Sequence, residues 1–140
     1  MLQPIDPENE PMVIMVADDD DDFRALIVAV LRADGHSTIE AHDGEELLEL
    51  LARAQDGAAS LRPDVLITDV KMPKLSGLGV LEAMRDAHFK LAVVVVTSFA
   101  DESIVTFAVR LGADGVLHKP FGADVLLTAV RQARRHLLAG

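Results

Sequence analysis

Residues 13–22 read VIMVADDDDD, five apolar residues that give way at once to five carboxylates. An apolar run of that length with no polar break reads as a strand buried on both faces, as in a parallel sheet covered by helices on each side. The residues that follow change period. Phe23, Leu26, Ile27, Val30 and Leu31 fall at i, i+3, i+4, i+7 and i+8, which predicts a helix with one apolar stripe. Strand followed by helix is a unit to look for elsewhere in the chain.

The unit recurs. Further strands are predicted at Ser37–Ala41, less apolar and nearer a sheet edge, then Val65–Thr68, Ala92–Thr97 and Gly115–His118. Helical stripes lie between or after them, in Leu47, Leu50, Leu51 and Ala54, in Ile104, Phe107, Ala108 and Leu111, and in Leu126, Ala129, Val130, Ala133 and Leu137. Gly35 and Gly112 follow helices where a left-handed cap is expected, and Gly57 lies near the end of another. Strands alternating with helices imply an α/β fold, a doubly wound (βα)₅ flavodoxin-like sandwich. Its five-stranded parallel sheet is expected in the order 2-1-3-4-5. Residues 1–11, rich in proline and acid, read as a flexible lead-in, and residues 12–140 as the domain.

Composition narrows the function. The chain has 140 residues, half of them hydrophobic, enough for one compact domain with a real core. It has no cysteine, so no disulfide or thiolate metal site is available. The formal charge of −10, with basic residues scattered apart from Arg131, Arg134 and Arg135, argues against direct nucleic acid binding. The start lacks the basic and apolar stretches of a secretory signal, and no apolar run approaches the roughly 20 residues of a membrane span. A cytoplasmic protein without membrane contact is the expectation.

In an open parallel sheet the ligand crevice lies outside the carboxyl ends of the strands. Those ends carry Asp18 and Asp19, Asp69, Thr97, and Lys119 followed by Pro120. Gathered together, the three carboxylates repel one another, and a hard divalent cation relieves that cost. Lys119 offers a compact positive charge to Asp69, and the Thr97 hydroxyl can donate to a phosphoryl oxygen. A carboxylate is also a nucleophile able to form an aspartyl-phosphate.

The strings VIMVADD, PDVLITDVKMP, VVVVTS and GADGVLHKPF, in this order and at the ends of four predicted strands, resemble the signature segments of response regulator receiver domains over about residues 12 to 138. The resemblance implies a two-component switch, not an enzyme acting on an outside substrate. It implies Asp69 as phosphoacceptor, and Asp18, Asp19 and Asp69 as ligands of Mg²⁺ or Mn²⁺, Asp19 being preferred over Asp18 as a direct ligand. The backbone carbonyl of Lys71 would complete the metal shell. Thr97 would be the switch hydroxyl, and Lys119 the lysine before a cis-prolyl bond. The implied partners are a histidine kinase or phosphotransfer protein and a downstream protein or output domain, and a homodimer is among the assemblies allowed.

One position departs from the pattern. Receivers usually carry Tyr or Phe three residues before the lysine, where this chain has Val116. Phe99 is a candidate substitute, and Lys71 with Phe99 is expected to slow loss of a bound phosphoryl group.

Plainer readings apply to other residues. Asp20, Asp21 and Asp22 read as helix-capping acids. Asp18, Asp20 and Asp22 have calcium-loop spacing, but Phe23 and Ala29 stand where that loop needs Gly and Glu. The histidines show no ligand spacing. Val105 and Val109 read as extra core contacts beside the stripe of the fourth helix. Two other functions compete with the switch. One is a metal-dependent phosphohydrolase with an aspartyl-phosphate intermediate, disfavoured because Lys71 stands where such enzymes place a general acid. The other is a receiver-like interaction module that never uses phosphate.

Overall fold

The computed structural model describes residues 10–57, 62–98 and 102–139. Phe99 and residues 1–9 of the expected lead-in lie outside that set. Five strands, β1 (Val13–Ala17), β2 (Ser37–Ala41), β3 (Val65–Asp69), β4 (Ala92–Thr97) and β5 (Gly115–His118), alternate with five helices. These are α1 (Asp21–Ala33), α2 (Gly44–Gln55), α3 (Gly77–Asp86), α4 (Glu102–Arg110) and α5 (Ala123–Ala139). All strand pairs are parallel and the order is β2-β1-β3-β4-β5, as the alternation predicts.

Strand alternation divides the core into two halves. Met15, Leu66, Val93 and Val95 face one side, where they pack with Leu47 and Leu51 of α2, Val80, Leu81 and Met84 of α3 and Ala108 of α4. Ile14, Val16, Val65, Ile67, Val94 and Val96 face the other, against Ile27 and Leu31 of α1 and Leu126, Val130 and Ala133 of α5. Because both faces of β1, β3 and β4 are covered, their sequences are apolar at nearly every position.

Gly35, Gly57 and Gly112 all have positive φ just past helix ends, the left-handed conformation that a residue without Cβ adopts at little cost. Registers Ala17↔Thr68, Asp69↔Val96 and Thr97↔His118 bring the carboxyl ends of four strands to one edge. β3 runs one residue further than expected, so Asp69 is itself the last residue of the strand.

Two expected stripes need correction. In α1 the buried positions are Arg24, Ile27, Val28 and Leu31, while Leu26 is 64% exposed. The buried face is rotated from the expected stripe, and Arg24 at its start turns inward to the Asp18 carbonyl. In α4 only Ala108 is fully buried, with Ile104 and Leu111 packed beside it. Phe107 and Val109 flank Ala108 by about 100° on either side of the helix, and are 45% and 58% exposed. The core reading of Val109 therefore fails, and Val105 is only half-buried.

Candidate functional site

The acidic residues at the site come from two pieces of backbone, the loop after β1 and the end of β3. Asp18 follows β1 directly, and its N–H donates to the Ala41 carbonyl of β2. Asp18 is fully buried, and one of its oxygens accepts the Asp20 N–H at 2.9 Å. Asp20 caps α1, its side chain accepting the N–H groups of Asp22 and Phe23, each at 3.1 Å. Asp21 and Asp22 occupy the first turn, where the positive end of the helix dipole favours them. The capping reading of these three acids is therefore correct, and it leaves Asp18 and Asp19 for the crevice. Asp69 closes β3, and its Oδ1 accepts the Lys71 N–H at 3.1 Å.

The carboxylates of Asp18, Asp19 and Asp69 each offer an oxygen, and the three atoms lie within 4.8 Å of one another. Lys119, in the loop after β5, donates through Nζ to Asp18 Oδ2 at 2.7 Å and to Asp69 Oδ2 at 2.8 Å. Three carboxylates against one ammonium leave two negative charges in excess, the charge that a divalent cation balances. The pocket is thus fit to hold a metal ion by the chemistry of its donors, which are all hard oxygens.

The electrostatics carry the same strain. Burial pushes the Asp18 carboxyl above its usual value, and the nearby Asp69 charge pushes it further. Hydrogen bonds from Lys119 and Asp20 offset this only in part. For Lys119 burial acts downward, yet the bonds to Asp18 and Asp69 outweigh it, and the ammonium is held above its ordinary range.

Thr97 ends β4 fully buried, and its carbonyl accepts the Lys119 N–H at 2.8 Å. Thr97 and Lys119 therefore share a backbone link. Lys71 lies in the loop between β3 and α3, two residues past Asp69. The Lys119–Pro120 bond is cis, as the resemblance implied. Val116 faces the half of the core that holds α2, α3 and α4, half-buried.

Sequence reading missed three side chains. Arg24 Nη1 donates to the Asp18 carbonyl at 2.6 Å, while Nε and Nη2 reach Glu40 and Asp21 at 3.1 and 2.6 Å, tying the acidic loop to β2 and α1. The Phe23 ring centroid lies 4.2 Å from Lys119 Nζ. Phe121 meets Phe23 edge to face, with centroids 5.6 Å apart. An arginine one position from an apolar stripe was the available signal for Arg24. Nothing in the spacing of Phe23 separates it from an ordinary core residue.

Comparison with known proteins points to one family and one fold. The family model of the response regulator receiver domain matches residues 14–131. The chain is 34% identical over 122 residues to the transcriptional regulatory protein CpxR of Escherichia coli, covering 87% of this chain and 49% of that protein. To the response regulator MprA of Mycobacterium avium it is 37% identical over 124 residues, covering 89% and 51%. The chain thus spans about half the length of these curated relatives. Among solved structures, a receiver domain protein of Clostridium thermocellum superposes with a TM-score of 0.80 at 30% identity, covering 91% of this chain and 97% of that one. The signal receiver domain of NarL from Mycobacterium tuberculosis gives 0.78 at 29%, covering 90% and 98%.

Proposed function

The chain belongs to the response regulator receiver family, and from that premise we propose that Asp69 is the residue that takes the phosphoryl group. The observation that supports this most is the contact of Lys119 Nζ with both Asp69 and Asp18, beside a third carboxylate within reach of the same ion.

In the proposed reaction an Asp69 oxygen attacks the phosphorus of a phosphohistidine on a histidine kinase or phosphotransfer protein. The new O–P bond forms as the N–P bond breaks, and the imidazole leaves with the bonding pair and takes up a proton. The residues that would hold Mg²⁺, or Mn²⁺ in its place, are Asp18, Asp19, Asp69 and the backbone carbonyl of Lys71. When bound, the ion neutralises charge on the transferring oxygens. Lys119 follows the phosphoryl group from the other side, and the Thr97 hydroxyl donates to one of its oxygens. The lysine's link to the Thr97 carbonyl then passes the change to β4 and β5. A downstream protein or output domain is the proposed reader of that change.

The chain is proposed to act on itself rather than to turn over a substrate. Lys71 stands two residues after Asp69, where such a phosphohydrolase places a carboxylic acid to protonate the leaving alcohol, which speaks against that activity. The cytoplasm is the proposed compartment, and among the described residues no helix is long and apolar enough to cross a membrane. The test is intact mass after incubation with acetyl phosphate, with and without Mg²⁺, alongside a chromogenic phosphate ester. A Mg²⁺-dependent gain of one phosphoryl group without ester hydrolysis supports the proposal. Steady ester turnover would instead identify a phosphohydrolase.

A further inference from the structure

We infer that Phe23 is a positioning residue for phosphoryl transfer, holding the Lys119 ammonium against its ring face so that the charge stays in the crevice. The inference rests on the proposed role of Asp69. An ammonium has three N–H donors. In this structure Asp18 and Asp69 accept from Lys119 at 2.7 and 2.8 Å, and the Phe23 ring lies 4.2 Å away as a further neighbour of the charge. A cation within about 6 Å of a ring centroid is attracted by the negative face of the π-system.

The kind of contact matters. An acceptor such as a carbonyl or a water would hold the ammonium by a directed hydrogen bond and would compete with the phosphoryl oxygen for it. A ring face attracts without a fixed direction. Nζ can therefore exchange a carboxylate for a phosphoryl oxygen while the attraction persists. The lysine side chain is 13% exposed, so little water reaches it to replace the ring.

The ring is itself held. Phe121, two residues after Lys119, meets Phe23 at an interplanar angle of 89° with centroids 5.6 Å apart. A single short segment, Lys119-Pro120-Phe121, thus supplies both the cation and the brace for the ring that attracts it. Phe23 is in turn placed by α1, whose cap Asp20 accepts the Phe23 N–H. The acidic loop and the lysine loop are joined through this ring as well as through the salt bridges.

The test compares the rate of phosphorylation by acetyl phosphate at saturating Mg²⁺ in the wild type, Phe23→Leu, Phe23→Tyr and a protein carrying pentafluorophenylalanine at position 23. Fluorination keeps the shape of the ring and removes the negative potential of its face. Calorimetric Mg²⁺ affinity is measured on each. The expected result is a rate roughly three- to tenfold lower for the leucine and fluorinated proteins, little change in Mg²⁺ affinity, and most of the rate retained by tyrosine. Wild-type rates in the fluorinated protein overturn the inference even if leucine is slow, since packing alone would then explain the ring. Failure of the wild type to gain phosphate, or an equal gain by Asp69→Ala, would instead sink the assignment of Asp69.

Discussion

Lys119 Nζ stands 2.8 Å from Asp69 Oδ2, a contact that joins residues fifty positions apart and places a positive charge on the proposed phosphoacceptor. The same ammonium competes with a metal ion for the charge of Asp18 and Asp69. Lys119→Met should therefore act in opposite directions on two measurements. Mg²⁺ affinity read by calorimetry rises, because a repelling cation is gone. Phosphorylation by acetyl phosphate falls about a hundredfold, the usual cost of losing one stabilising donor. A parallel fall in both would show that the lysine serves only to hold the pocket's shape.

Asp18 bears a burial cost. It is fully enclosed beside Asp69, and its carboxyl is raised by burial ahead of every other influence. Asp18→Asn removes one of the crowded charges and keeps one oxygen for the Asp20 N–H, while its amide NH2 replaces the oxygen that accepts from Lys119. The metal-free variant should be more stable at neutral pH, seen as a higher denaturation midpoint, and Mg²⁺ should stabilise it less than the wild type. A lower midpoint without metal would mean that the pairing with Lys119 outweighs the repulsion.

Gly77 cannot accept a side chain. A Cβ there would lie 2.0 Å from the Asp69 carbonyl oxygen and 2.9 Å from Thr68 Oγ1, where the start of α3 folds back on the end of β3. The Gly77 N–H donates to the Val70 carbonyl at 3.0 Å and closes that turn. Gly77→Ala should cost about 1–3 kcal/mol of stability and slow phosphorylation, since Asp69 must move. Thermal unfolding and the acetyl phosphate rate together check this. Unchanged values would show that the loop has room to shift.

Asp43 caps α2, accepting the Glu46 N–H at 2.8 Å, and this bond ahead of other influences holds its carboxyl below the usual value of 3.8. A depressed folded value means that the stabilisation is complete above the unfolded value and is lost as pH falls through the folded one. Asp43→Ala should therefore lower the melting temperature by a few degrees at neutral pH, with the gap closing as pH drops below about 4. A gap that stays constant into acid would point to packing rather than charge.

Much of this was legible in the chain itself. The run Val13–Ala17, apolar throughout, marks a strand covered on both faces, and the right-handedness of parallel crossovers leaves few sheet orders for five repeats, of which the doubly wound 2-1-3-4-5 is the one formed. Asp18, Asp19, Asp69, Thr97 and Lys119 are found by asking what stands at strand ends. Other features depend on geometry that periodicity does not encode. A stripe is blind to a 100° rotation, so Leu26 and Phe107 were assigned to the core while the buried Arg24 went unseen. The contact of Phe23 with Lys119 joins α1 to the loop after β5, and neither sequence position carries a mark of the other.

The most direct measurement locates the phosphate by residue. After treatment with acetyl phosphate and Mg²⁺, borohydride reduction converts an aspartyl-phosphate to homoserine, which peptide mass spectrometry reads at a single position. Homoserine at residue 69 alone, abolished when Mg²⁺ is chelated, is the predicted result. Homoserine at residue 18 or 19, or none under conditions where intact mass shows phosphate bound, would contradict the assignment of Asp69 as the acceptor.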